Sequence, residues 1–242
     1  MFTKLIRKLL LILALFSFSC NPVLAITTDE YRALMSNPDF AHADRRINEL
    51  WDKVQSVAPQ SVLDFLHQAQ TEWWEYDLDS KAAYLIKEDK YSREAAYTKA
   101  TEQCADELQI LLKGLTTPVK PNKLIGEYVR TWEKVEGVDW LQDEINETGY
   151  LDIKWSNKKK SEVKLELLVY GGGGQYTPHI GEWSGRGVFK NRVLAISDKD
   201  NDEAHIIFVF TDDNTVMVVE TSGMSAYHGD GAFFNGEYKR KR

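Results

Sequence analysis

The sequence predicts an α+β protein in which an antiparallel helical bundle precedes an antiparallel β-barrel of about eight strands. From residue 26 to residue 115 there is a single glycine, and apolar residues recur at the spacing of amphipathic helices. Beyond Pro121 glycines become frequent and apolar residues alternate with period two, as in strands. Pro118 and Pro121 lie between these patterns and suit a short extended linker. We therefore predict a helical domain over residues 26–117 and a barrel domain over residues 118–242.

Residues 1–25 have the pattern of a cleaved signal peptide. Three basic residues precede an unbroken apolar run over residues 9–16, and small residues at a cleavage site end with Ala25. Because this run is shorter than the ~20 residues of a membrane-spanning helix, we expect cleavage after Ala25, a periplasmic or secreted protein, and no stable membrane insertion. A lipoprotein attached through Cys20 is the alternative, although Ser17 stands where a lipoprotein signal has an aliphatic residue.

The charge of the chain limits its partners. The first 25 residues hold three of the 30 basic residues and none of the 37 acidic ones, so the remaining chain has a formal charge of −10. Because opposite fields steer association, this charge favours a basic partner and argues against nucleic acid or an anionic membrane. Solubility alone is the alternative explanation. After cleavage only Cys104 remains, so no disulfide can form within the chain.

Three apolar stripes define the helices of the first half. The first stripe comprises Ala43, Ile47, Leu50, Trp51 and Val54. The second comprises Val62, Phe65, Leu66, Ala69, Trp73 and Tyr76, with a continuation toward Leu85 left open. The third comprises Tyr97, Ala100, Cys104, Leu108 and Leu111, and Gly114 is expected to cap this helix. Residues 28–30 indicate the start of a short additional helix.

The second half predicts eight antiparallel strands separated by turn residues. Their ranges are 124–132, 150–155, 163–170, 181–189, 192–197, 205–211, 215–221 and 232–239. The tripeptide Gly126-Glu127-Tyr128 of the first strand recurs as Gly236-Glu237-Tyr238 in the last. This repetition predicts that the first and last strands lie side by side and close the barrel. Residues 138–145 are expected to form a short helix or a loop lid.

Two stretches of the sequence resemble bacterial envelope families. One predicted helix contains Asn48, and the next contains the motif Ala69-Gln70-x-x-Trp73. This pattern resembles the N-terminal domain family of the lysozyme inhibitor LprI over about residues 40–113. The family's Arg-Asp pair and bridging cysteines are absent, since Asp77-Leu78 and Lys81 stand near those places. The second half is similar to a small β domain that often follows such helical domains in bacterial envelope proteins. The matching pieces are Gly126-x-Tyr128, Ile180-Gly181 with Gly185 and Gly187, residues 206–210, Gly229-x-Gly231 and Gly236-x-Tyr238. Together these resemblances imply a periplasmic or secreted binder of lysozyme or another cell-wall hydrolase.

Motifs for catalysis, cofactors or metals are weak. The glycines of residues 171–174 lack the Lys-Ser/Thr that follows a phosphate loop. Asp198, Asp200 and Asp202 have the spacing of a calcium loop, but Glu203 and Val209 occupy the positions of its Gly and its bidentate Glu. We therefore expect no enzymatic activity, no cofactor and no metal.

We expect residues on two turns, and one aromatic residue of a helix, to bind a partner. We predict that one cationic side chain enters the cleft of a lysozyme and contacts its catalytic carboxylates. The candidates are a lysine of the turn formed by Lys158, Lys159 and Lys160, or His228 beside Tyr227 on the opposite loop. Trp74 is adjacent to Trp73 and cannot share its face of the helix, so it either anchors a partner or packs on the barrel. The alternative for the lysines is a solvated turn.

Two other functions stay open at this point. The barrel could instead hold a small apolar or glycan ligand, or the protein could be a structural adaptor of the envelope. Bulky residues at expected inward positions favour a filled interior over a ligand cavity: Trp155, Phe189, Phe208 and Phe210.

Overall fold

The computed structural model describes residues 27–72, 78–131, 147–171, 179–228 and 232–241, and it combines helices with a β-barrel, as predicted. Within these residues the helices are α1 Thr28–Met35, α2 Pro38–Val57, α3 Gln60–Glu72, α4 Leu78–Lys87 and α5 Arg93–Thr116. The strands are β1 Gly126–Thr131, β2 Glu147–Trp155, β3 Val163–Gly171, β4 His179–Gly187, β5 Val193–Ser197, β6 His205–Phe210, β7 Thr215–Glu220 and β8 Gly236–Arg240. The predicted Trp73, Trp74 and the segment of residues 138–145 lie outside the described residues.

Local side-chain bonds fix where the helices begin. The Thr27 hydroxyl accepts the Glu30 amide at 3.2 Å, and the Glu30 carboxylate accepts the Thr27 amide at 2.9 Å, which forms a capping box before α1. The Ser92 hydroxyl caps α5 in the same way through the amide of Ala95. Both caps provide acceptors for backbone N–H groups that a helix start otherwise leaves without one.

The prediction that Gly114 caps the last helix is wrong. Helix α5 continues to Thr116, and Gly114 lies inside it where the helix meets the barrel. A Cβ at this position would be 2.9 Å from Val193 Cγ2 and 3.1 Å from Val209 Cγ1. The glycine therefore permits a close approach of helix to sheet instead of ending the helix.

The helices pack on one another and on one side of the barrel. Helices α2 and α4 contact α5, whereas α3 lies against β5 and β6. One apolar cluster joins helix residues such as Val54 and Phe65 to Val193, Ala195 and Ile207 on the outer face of the sheet. Burial of this shared surface contributes about 25 cal/mol per Å² of apolar area.

The eight strands form one antiparallel sheet in the order β4-β3-β2-β1-β8-β7-β6-β5. The predicted pairing of the first and last strands is confirmed, with Tyr128 opposite Arg240 and Val129 opposite Lys239. The barrel is nearly closed, and its seam lies between β4 and β5. At this seam a Cβ on Gly187 would be 2.6 Å from Leu194 Cδ1, so side chains fill the gap.

Aromatic side chains occupy the barrel interior. The rings of Tyr128 and Phe210 lie 5.7 Å apart edge to face, and Trp183 stacks on Phe208 at 6.4 Å. Phe189 packs against Phe210 from the end of β4. These residues belong to a single buried cluster that runs through the inner faces of the described strands.

Candidate functional site

Strand direction divides the barrel into two ends that carry different residues. Odd-numbered strands run toward one end, named end A, and even-numbered strands run back to the other, named end B. The described loops at end A are residues 198–204 and 221–235, apart from residues 229–231. The loops at end B are residues 156–162, 188–192 and 211–214, together with residues 117–125 before β1.

A buried pair of ionisable side chains lies at end A. Glu220 follows Val216 and Val218 on the inner face of β7, and its Oε2 is 3.5 Å from Nε2 of His228. Each of the two side chains is 5% exposed. His228 reaches this place because its backbone bridges to Gly181 of β4, where a Cβ would lie 2.6 Å from the His228 Cβ.

Backbone and side-chain bonds tie residues 232–235 over this pair. The amide of Phe234 donates to Glu220 Oε1 at 3.1 Å, and the amide of Glu220 donates to Asn235 Oδ1 at 2.7 Å. Nη1 of Arg130 donates to the carbonyls of Phe233 and Asn235. Phe234 is fully buried while Phe233 is 53% exposed. We name residues 232–235 the cap, because the rings of Phe233 and Phe234 each lie 5.4 Å from the His228 ring and Phe233 is presented to solvent.

The environment of Glu220 perturbs its titration. Burial raises the pKa of this carboxyl, and the His228 ring, the amide donors and Arg130 act in the opposite direction. The Glu220 carboxyl is therefore a proton-sensitive support beneath the cap.

A second hydrogen-bonded histidine orders the neighbouring loop of end A. His205 Nε2 is 2.7 Å from the Asp202 carbonyl, and its Nδ1 is 2.8 Å from Ser197 Oγ. Because a carbonyl only accepts, the neutral ring carries its proton on Nε2 and accepts the Ser197 hydroxyl at Nδ1. The His205 amide donates to Thr221 Oγ1 at 2.8 Å. This network joins residues 198–204 to residues 221–228.

The predicted partner-binding residues do not converge. Lys158, Lys159 and Lys160 are exposed on the turn between β2 and β3 at end B, whereas Tyr227 and His228 lie at end A. The nine residues of β3 span about 30 Å along the strand direction. One partner cleft therefore does not take up both groups. The Tyr227 hydroxyl hydrogen-bonds to Asp198, and the His228 side chain is buried.

The family-motif positions lie on helix surfaces. Asn48 is exposed, and its amide donates to the carbonyl of Asp44 at 2.8 Å within the same helix. Gln70 is exposed on α3. Neither residue contributes to the cluster at end A.

Glu220 is the residue of this site that sequence analysis missed. The alternation Val216, Val218, Glu220 places a carboxyl among inward positions, and this signal was present in the sequence. The sequence does not show that Glu220 contacts His228, because His228 is positioned by a backbone bridge to a strand about 50 residues earlier.

An acidic loop lies at end A of the barrel. Asp200, Asp202 and Glu203 are exposed in the loop at end A, which also contains Asp198 and one lysine. Asn201 donates to the Gly223 carbonyl at 3.1 Å, so this acidic loop is fixed beside the segment that leads to the cap. Ile180, next to the His228 bridge, is 53% exposed. End A thus combines negative charge with exposed apolar side chains.

Among the described residues, no group of three or more His, Cys, Asp or Glu side chains is placed to bind a metal ion. None of the helices in the described ranges has the length and apolar character needed to cross a membrane. No family model, curated protein or solved structure matches this chain.

Proposed function

We propose that this chain is an exported, non-enzymatic binding protein whose partner is a basic protein, with lysozyme or another cell-wall hydrolase as the first candidate. The resemblance of residues 40–113 to the LprI family and the pattern of residues 1–25 support this proposal. It includes cleavage after Ala25, a periplasmic or secreted location, and helices α1–α5 forming a bundle of the LprI type. Attachment through Cys20 is the less favoured alternative.

The observation that carries the proposal is the composition of end A. An acidic loop with exposed Asp200, Asp202 and Glu203 lies beside the cap, from which Phe233 projects. Aromatic side chains are enriched among the residues that dominate interface energies. Complementary charge raises the rate of encounter with an oppositely charged partner. A basic protein therefore fits this end of the barrel.

The cap and the buried pair would give this surface a fixed shape. Glu220 and Arg130 hold the backbone of residues 233–235 through hydrogen bonds. Preorganisation of this kind lowers the entropy that binding costs. In this role His228 supports the surface from below and does not itself enter the partner's cleft.

The packing of the barrel favours a protein partner over a small internal ligand. An eight-stranded barrel is just wide enough for its side chains to fill or to hold one small ligand. Here Tyr128, Trp183, Phe208 and Phe210 contact one another inside the barrel. A structural adaptor of the envelope would use the same surface, with a different partner.

Binding and inhibition assays with several basic lysozymes test the proposal. The variant D200N/D202N/E203Q is expected to slow association by roughly tenfold, and Phe233→Ala to weaken affinity by about tenfold or more. Matched controls are E49Q/D52N/D89N, which removes the same charge from exposed positions on α2 and just after α4, and Tyr84→Ala, which removes an exposed aromatic of α4. Absence of binding and of inhibition at a large molar excess would reject a lysozyme partner, and capture of a different envelope protein would favour the adaptor.

A further inference from the structure

Like charges lie in register across three strands on the outer face of the barrel near end B. Lys154 of β2 is directly opposite Lys164 of β3, and Lys164 is directly opposite Arg186 of β4. All three side chains are exposed. Like charges in such positions destabilise a sheet, so the row disfavours folding unless something else offsets it. Asp152 and Glu166 pair with Lys154 and Lys164 and offset it in part.

The turn lysines extend this row. Residues 156–162 connect the same two strands β2 and β3, and Asn157 holds the turn by accepting the Ser161 amide at 3.3 Å. Lys158, Lys159 and Lys160 are exposed on it. Neither these lysines nor Arg186 has an acidic partner in the part of the chain that the structure describes. We name these six cations the basic patch.

An exposed apolar side chain stands beside the basic patch. Val188 is 66% exposed in the turn after β4, between Arg186 and Lys190. Gly187 pairs with Val163, which brings this turn next to the one that carries the lysines. The patch therefore combines clustered cations with an apolar tip at one end of the molecule.

We propose that the basic patch binds the surface of an anionic phospholipid bilayer as a peripheral contact. Clusters of four to eight Lys and Arg residues are attracted to anionic lipid headgroups, and a shallow apolar side chain adds to such binding. The negative net charge of the chain does not prevent it, because the acidic loop lies at the opposite end. Bound in this way, the protein would turn end A away from the membrane and toward soluble partners.

The chemistry of the patch favours lipid over nucleic acid. Binding to single-stranded nucleic acid relies on aromatic side chains on which bases stack. The aromatic residue beside this turn, Trp155, instead packs against the core, and its indole N–H donates to Asn122 Oδ1 at 3.1 Å. Val188 instead offers an apolar contact that acyl chains accept and phosphates do not.

Vesicle cosedimentation of the full chain tests the proposal. The readout is the ratio of partition coefficients on phosphatidylglycerol–phosphatidylcholine vesicles and on phosphatidylcholine vesicles. This ratio is compared between proteins that all carry residues 1–25, so the contribution of that basic and apolar segment is the same in each. K158Q/K159Q/K160Q is expected to lower this ratio by about 100-fold, since each lysine contributes about fivefold. The matched control K53Q/K87Q/K113Q removes three exposed lysines from helices and is expected to leave most of the ratio intact.

Three results would overturn the proposal. The first is an unchanged ratio in K158Q/K159Q/K160Q, and the second is an equal loss of the ratio in the helix control. The third is that K158Q/K159Q/K160Q loses binding to a DNA duplex but keeps its binding to the anionic vesicles. A further variant, Val188→Asp, is expected to weaken binding to anionic vesicles and to leave the circular dichroism spectrum unchanged.

Discussion

The guanidinium of Arg240 lies over the ring of Tyr128, with its central carbon 4.7 Å from the ring centroid. Arg130 lies over Tyr238 in the same way at 5.5 Å. The two segments share the pattern Gly-Glu-Tyr-x-Arg and run antiparallel in β1 and β8, where Arg240 is directly opposite Tyr128. Each tyrosine hydroxyl also donates at 3.0 Å to a carbonyl four residues earlier. We name the two contacts, Arg240 with Tyr128 and Arg130 with Tyr238, the clamps. They join the two halves of the barrel between β1 and β8, where only two residue pairs are in register.

Glycines make room for both clamps. Gly126 has φ +143° and Gly236 has φ +141°, a conformation that other residues rarely adopt. A Cβ on Gly126 would lie 2.5 Å from Arg240 Nη1. The repeated tripeptide is thus explained by the geometry of closure.

Replacement of Arg240 by Ala is expected to lower the free energy of unfolding by about 2–4 kcal/mol. The guanidinium donates to the carbonyls of Ile125, Lys123 and Asp213, which would lose their donor. Urea denaturation measures the effect. Arg45→Ala, on an exposed helix face, is the control and is expected to change stability by less than about 0.5 kcal/mol. A loss of similar size in both variants would show that the clamp adds nothing specific.

Gly114→Ala is expected to destabilise the protein despite the better helix propensity of alanine. The propensity gain is about 1 kcal/mol, whereas forcing a methyl group against Val193 and Val209 costs about 1–3 kcal/mol. Thermal or urea unfolding measures the net effect, with Lys99→Ala on the exposed face of α5 as the control. A stabilised Gly114→Ala protein would mean that the helix moves away from the sheet without cost.

Glu220→Gln is expected to change how stability depends on pH. The unfolded carboxyl titrates near 4.5, and burial raises its pKa in the folded state. The folded state then holds the proton more tightly, so this stabilisation is complete below pH 4.5 and is lost as the pH rises through the folded pKa. Relative to the variant, the wild-type protein should therefore lose stability from pH 4.5 toward neutrality.

Urea midpoints across that pH range measure this difference, and Glu182→Gln on the outer face of β4 is the control. The groups that face Glu220, namely His228 and Arg130, are present in both proteins. The expectation would be contradicted if the urea midpoint of the wild type rose relative to that of Glu220→Gln as the pH increased.

Tyr128 is expected to make the barrel sensitive to alkali. Burial raises the pKa of its hydroxyl from 10.0 to about 12, against the opposing charge of Arg240. The associated stabilisation is complete below pH 10 and is lost as the pH rises through about 12. Circular dichroism across this range should show Tyr128→Phe losing stability less steeply than the wild type. Parallel curves would indicate that other groups govern alkaline unfolding.

Local pattern predicted most of the secondary structure. Period-two alternation located most strands to within a few residues where one face is buried, as at Val163, Leu165 and Leu167 of β3. Strand β6 is buried on both faces, and the turn residues on either side of its continuous apolar run located it instead. The helix that contains Leu50 and Val54 was located for the same reason. Gly114 was misread, because a glycine near a helix end has the same local pattern whether it caps the helix or admits a neighbour.

The candidate site depended on contacts that no local pattern encodes. Lys158–Lys160 and His228 were singled out by residue type, yet strand direction places them at opposite ends. The partner of His228 is Glu220, and the two approach each other because the chain returns to β4 before it enters the last strand.

The sequence by itself determined which residues are inward on each strand, where the turns fall, and that β1 and β8 share a motif. Only the tertiary structure decided that the seam lies between β4 and β5, that α3 covers β5 and β6, and that the acidic loop of residues 198–204 lies at the opposite end from the lysines of residues 158–160. The first set follows from backbone geometry and burial within a few residues. The second follows from the packing of segments far apart in the chain, where close contact at positions such as Gly114 and Gly181 selects one arrangement.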